Sequence, residues 1–184
     1  MASLFIWWGL IGREFFKLVD WPWLQVIQAG FWLLIGIDLL VIVFTDLFYG
    51  VIPDVCVWFG GGLGISYRLL LWSQGVMQSG DLMKTFLAAG GAWLFFYGLY
   101  WLTRKQGMGL GDVYLAPVLG LVLGWPRVVI GLMLAFVLGA GVGVGLMLLG
   151  KKKLKSSLPF APFMVGGSFL ALVWGYQWWQ LLVS

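Results

Sequence analysis

Two aspartates in an otherwise apolar chain are the residues whose type and spacing suit chemistry. Asp112 closes the stretch Gly107-Met108-Gly109-Leu110-Gly111-Asp112, and Asp46 ends a long hydrophobic run. An ionisable side chain in such surroundings is costly and marks a candidate functional site. Two carboxyls held close together in an apolar setting cannot both ionise, so one keeps its proton. The pair then offers a base and an acid at neutral pH and titrates as a unit. One member takes a proton from water as the oxygen attacks a peptide carbonyl; the other protonates the carbonyl oxygen and later helps the amine leave. Gly109 and Gly111 carry no side chain, so another backbone can pass close to this turn.

The rest of the composition narrows the chemistry. The chain has no histidine, which removes Ser-His-Asp triads and the commonest metal ligand. Its single cysteine, Cys56, rules out an intrachain disulfide and a cysteine zinc cluster. If the protein is an enzyme, carboxylates move the protons, with no cofactor and no metal.

The elements that must position the pair are membrane helices. Of 184 residues, 62% are hydrophobic and 10% charged, with a mean hydropathy of +1.00; a soluble domain carries about 25% charged residues. The hydrophobic runs are long and continuous, so the fold class is all-α and polytopic rather than a β-barrel. Six spans are expected, each near the ~20 residues a bilayer requires: 24–45, 55–72, 82–102, a short run 113–125 that needs a start near Gly109, 128–149, and a last one opened by Pro159-Phe160-Ala161-Pro162-Phe163 and ending near Leu182. Residues 1–22 form an amphipathic segment at the interface, with Arg13, Glu14 and Lys17 on one face, and 23–184 form one membrane domain. No cleavable signal peptide is expected. Gly60, Gly61, Gly62 and Gly64, and likewise Gly139, Gly141, Gly143 and Gly145, are read as helix-packing faces. Arg68 is expected to snorkel from the far end of the second span.

The net charge is +4, and four of the eleven basic residues sit in Lys151-Lys152-Lys153-Leu154-Lys155. Between hydrophobic spans this is a cytoplasmic loop rather than a nucleic-acid site, and a place where acidic lipid can gather. Arg104 and Lys105 fall on the same side, so Asp46 and Asp112 face the cytoplasm. Arg13 and Lys17 favour the opposite side unless the N-terminal helix crosses.

Three motifs carry a family resemblance over nearly the whole chain from span one onward. Asp46-Leu47-Phe48-Tyr49-Gly50-Val51-Ile52-Pro53-Asp54 resembles the first motif of the type IV prepilin peptidases. Gly109-Leu110-Gly111-Asp112 resembles their Gly-x-Gly-Asp motif, and Pro159-Phe160-Ala161-Pro162-Phe163 is similar to a run near their last helix. The resemblance implies catalytic Asp46 and Asp112, removal of a short basic leader from prepilin or pseudopilin precursors at the cytoplasmic face of the inner membrane, and type IV pilus or type II secretion substrates. Ile52 and Pro53 fix the turn after the first aspartate. Asp54 is read as the cap of the second span rather than a third acid, and Asp38, two turns from Asp46, as a structural polar contact.

The sequence departs from that family at two places. About twenty residues without a cysteine precede span one, where larger relatives carry paired cysteine motifs associated with N-methylation, so methyl transfer is not expected. Tyr114 stands where relatives commonly place lysine. The competing readings are a presenilin-like protease, whose Pro-Ala-Leu signature is absent, an inactive scaffold, and a proton-coupled transporter that uses Asp38, Asp46 and Asp112 as a relay, for which no internal repeat is visible.

Overall fold

The computed structural model describes residues 22–104, 108–149 and 159–183. The expected N-terminal amphipathic helix, Gly107 and the lysine cluster lie outside them. Among the described residues the chain forms six helices: α1 Pro22–Tyr49, α2 Asp54–Ser73, α3 Ser79–Leu102, α4 Leu110–Leu123, α5 Arg127–Leu148 and α6 Ala161–Val183. Four of them, α1, α2, α3 and α5, are long and apolar enough to cross a membrane. Their outward faces carry large hydrophobic side chains such as Leu33, Phe44, Trp58, Leu94 and Val137, the surface that lipid covers in a multi-pass membrane protein.

The odd member is α4. At 14 residues it is ~21 Å long, well short of the ~30 Å hydrocarbon core. It lies in the middle of the bundle against α2, α3, α5 and α6. Val113, Leu115, Ala116 and Leu119 are fully enclosed. A helix apolar all round suits an interior position. Enclosed by protein, α4 has no need to reach either membrane face.

Small residues set how closely the neighbours approach α4. A side chain at Gly120 would place its Cβ 2.6 Å from Cα of Ala89 on α3, a backbone atom that cannot swing aside. Gly120→Ala is therefore expected to cost ~1–3 kcal/mol of stability as overpacking, seen as a lower melting temperature in detergent with an unchanged helical spectrum. On α2, Gly60 and Gly64 meet Val118 and Leu121 of α4, whereas Gly62 faces open space. On α5 one half of the expected face is used. Gly131, Ala135 and Gly139 meet α6 at Gly167, Ser168 and Phe163, and Gly143, the next residue at the same spacing, is buried, while Gly141 and Gly145 face open space. The stripe of four-residue spacing therefore includes Gly139 and Gly143 and extends further towards the N-terminus of α5, where Gly167 on α6 supplies the matching hollow.

Arg68 does not snorkel. Its guanidinium turns inward and donates to two carbonyls at the C-terminal end of α4, Leu121 at 2.9 Å from Nε and Val122 at 2.8 Å from a terminal nitrogen. Those carbonyls have no partner within their own helix. In an apolar interior, satisfying them outweighs extending the side chain to water.

Candidate active site

Four chain segments meet at the end of the bundle opposite Arg68. The first is the C-terminal turn of α1. It ends because Gly50 takes a left-handed conformation (φ 65°) and its N–H closes back on the carbonyl of Asp46 at 2.9 Å, a terminus that suits glycine. Asp46 thus sits within the last helical turn rather than in the following loop, and it is 7% exposed. The α1–α2 connection then runs through buried Ile52 and half-buried Pro53, whose extended backbone (φ −66°, ψ 127°) forms the N-cap of α2. Asp54 is the first residue of α2, exposed, and makes no capping bond with its side chain. It favours the helix N-terminus by its charge alone, because Pro53 already occupies the cap position.

The second partner of Asp46 comes from far along the chain. The backbone N–H of Ala161, at the start of α6, donates to Asp46 Oδ2 at 3.0 Å. The first amides of a helix lack intrahelical acceptors and attract anions. Pro159 and Pro162 have no N–H to offer, so Ala161 supplies the donor. Sequence reasoning took the proline run as the opening of the last span and missed this contact; an alanine N–H between two prolines at a helix start was the available signal.

Asp112 is the third residue of α4 and 6% exposed. Its Oδ2 accepts from the Gly109 N–H at 3.3 Å, the acidic half of a capping box. The two carboxyls are close enough to act on each other electrostatically. Gly111 lies directly against Ile52: a Cβ there would stand 2.8 Å from Ile52 Cβ. Gly109 has room, with Asp112 Oδ2 at 3.5 Å from the same probe position. Tyr114, one residue beyond Val113, is exposed at this end of α4.

Asp38 is brought elsewhere. It is buried eight residues before Asp46 on α1, against Gly60 of α2, whose added Cβ would meet Asp38 Oδ2 at 2.7 Å and Val118 of α4 at 3.0 Å. The Cys56 thiol lies beside its carboxyl. Its Oδ2 has no hydrogen-bond partner. The structure therefore gathers Asp46, Asp112, Ile52, Pro53, Gly109 and Gly111 at one end, leaves Asp54 at the surface, and keeps Asp38 inside the packing.

Residues 32–144 match the model of the type IV leader peptidase family, a stretch that contains both candidate acids. The chain is 36% identical over 116 residues to the prepilin leader peptidase/N-methyltransferase of Aeromonas hydrophila, covering 61% of this chain and 38% of that protein. It is 31% identical over 158 residues to the protein of the same name from Stutzerimonas stutzeri, with 82% and 51% covered, and 30% identical over 167 residues to that of Pseudomonas aeruginosa, with 86% and 54% covered. The chain thus spans about four-tenths to half of the length of these curated relatives. No solved structure matches it. With the match running through most of the described helices and both halves of the acid pair, the chain belongs to the type IV leader peptidase family.

Proposed function

We propose that this protein is a membrane aspartic endopeptidase that removes the basic leader from type IV prepilin or pseudopilin precursors, with Asp46 and Asp112 as the acid/base pair. The observation that carries the reading is the meeting of these two buried carboxyls, from α1 and α4, at one end of the bundle. Family membership and the names of the relatives supply the substrate class.

In this reading the pair holds one proton between its two carboxyls. The ionised member takes a proton from a water as its oxygen bonds to the scissile carbonyl carbon, and the protonated member gives its proton to the carbonyl oxygen. The tetrahedral intermediate then collapses. The C–N bond breaks, the amine leaves with a proton returned by the first carboxyl, and the second recovers its own. The Ala161 N–H holds Asp46 oriented, and the Gly109 N–H does the same for Asp112. The exposed backbone at Gly109 leaves room for an extended substrate strand. A helical scissile segment would hide its carbonyls, so the cut falls in an unwound stretch beside the membrane-embedded helix of the substrate. In the same reading this end of the bundle faces the cytoplasm from the inner membrane, a placement favoured by the basic residues that follow α3 and α5 in the sequence, and residues 23–184 act as one domain.

Co-expression with a candidate precursor tests the proposal. The expected result is a shift to the mature mass in membranes, with the leader released on the cytoplasmic side; an unprocessed precursor across several prepilins would contradict it. Asp38→Asn separates the pair from the third acid. It is expected to keep most of the cleavage while losing ~1–3 kcal/mol of stability, because a buried amide N–H is left without a partner. Complete loss of cleavage at normal protein level would instead place Asp38 in the chemistry.

A further inference from the structure

We infer that Arg68 fixes the register of α4 against α1 and α2 and so sets the spacing between Asp46 and Asp112, some 20 Å away by the length of α4. Its bearing on cleavage rests on the peptidase reading above. The acids sit on different helices, and α4, at 14 residues, is too short to span the hydrocarbon core. At its far end, Gly120's carbonyl is closed by the Gly124 N–H at 2.9 Å, and the carbonyls of Leu121 and Val122 are closed by Arg68. A cation at this position also complements the negative end of the helix dipole.

The neighbouring residue completes the linkage. Tyr67 is buried and stacks on Phe31 of α1, with ring centroids 4.0 Å apart and planes 10° apart. Tyr67 therefore ties α2 to α1 one position before Arg68 ties α2 to α4. From Asp46 the path runs down α1 to Phe31, across to Tyr67, to Arg68, and back up α4 to Asp112. At the acid end, by contrast, the Gly111–Ile52 contact between α4 and the α1–α2 connection is apolar and gives no directional bond. Sliding α4 along its axis breaks both Arg68 bonds and costs two buried carbonyls their partners. The planar fork of arginine matches two successive carbonyls; a lysine can serve one at a time. Arg68 is thus a positioning residue, acting through α4 on Asp112.

The test uses the full chain in liposomes with Cys56→Ser, Leu69→Cys and Leu110→Cys. Spin labels at the two exposed positions report the offset of α4 against α2. Arg68→Met is expected to shift or broaden the label distance by at least one residue's rise, ~1.5 Å, and Arg68→Lys to recover part of the parent distribution. Cleavage at saturating precursor should fall on the order of 100-fold in Arg68→Met, as small misplacements of reacting groups do, with KM nearly unchanged, an altered pH profile, and partial recovery in Arg68→Lys. An unchanged label distance in both variants overturns the inference, as does a shifted distance with parent-level kcat. If the parent itself cleaves no precursor, the peptidase reading fails, and the label distances alone still decide whether Arg68 holds α4 in register.

Discussion

With asparagine at position 46 or 112, leader cleavage is expected to fall by roughly 10³–10⁴-fold or more while the protein accumulates normally. Asparagine neither takes up nor gives away a proton at working pH, so either substitution breaks the acid/base exchange. The local structure has reason to survive. An amide oxygen at position 46 still accepts from the Ala161 N–H, and one at position 112 still accepts from the Gly109 N–H. The double variant Asp46→Asn with Asp112→Asn should be about as slow as either single one, since groups that act as a unit do not add. Single-turnover cleavage at matched protein levels measures all three. A single variant retaining a rate close to the parent would remove its aspartate from the chemistry.

The second large effect is expected at Gly111. Gly111→Ala puts a Cβ 2.8 Å from Ile52 Cβ. That atom is attached directly to the backbone and cannot rotate away. The start of α4 must move by several tenths of an ångström or more, and Asp112 is the next residue. Cleavage should drop on the order of 100-fold with little loss of assembled protein, because the enclosed body of α4 keeps its packing. Gly109→Ala is the matched comparison. Its backbone (φ −72°, ψ 150°) suits any residue, and the new methyl meets Asp112 Oδ2 at an ordinary 3.5 Å. Gly109→Ala should fold as the parent does, with any loss confined to KM where the substrate backbone passes. Equal kinetic effects at the two glycines would contradict this account of the turn.

Much of this arrangement was legible in the chain because it rests on local signals. Hydrophobic run lengths located the six described helices to within a few residues, and alternation of spans placed Asp46 and Asp112 at the same end. Ile52 and Pro53 marked the turn after α1. What escaped were pairings between residues distant in sequence. Nothing near Arg68 announces that the carbonyls of Leu121 and Val122 lie beside it, so the side chain reads as a surface cation. The Ala161–Asp46 bond joins residues 115 positions apart. Glycine stripes showed where helices can approach but not which turn is used: Gly141 and Gly145 are as small as Gly131 yet meet no neighbour. Asp54 was misassigned as a cap because its type fits that position, while Pro53 before it holds the cap geometry through its backbone.

The most direct measurement of the central claim is intact-mass analysis of a purified precursor incubated in liposomes with the parent protein, Asp46→Asn or Asp112→Asn. The parent is expected to cut the precursor at one bond, at the junction of leader and mature helix, and each variant to leave it whole over the same time. Cleavage by either variant at the parent's rate, or no cleavage by the parent on any of several precursors, would contradict the assignment of Asp46 and Asp112 as the acid/base pair of a leader peptidase.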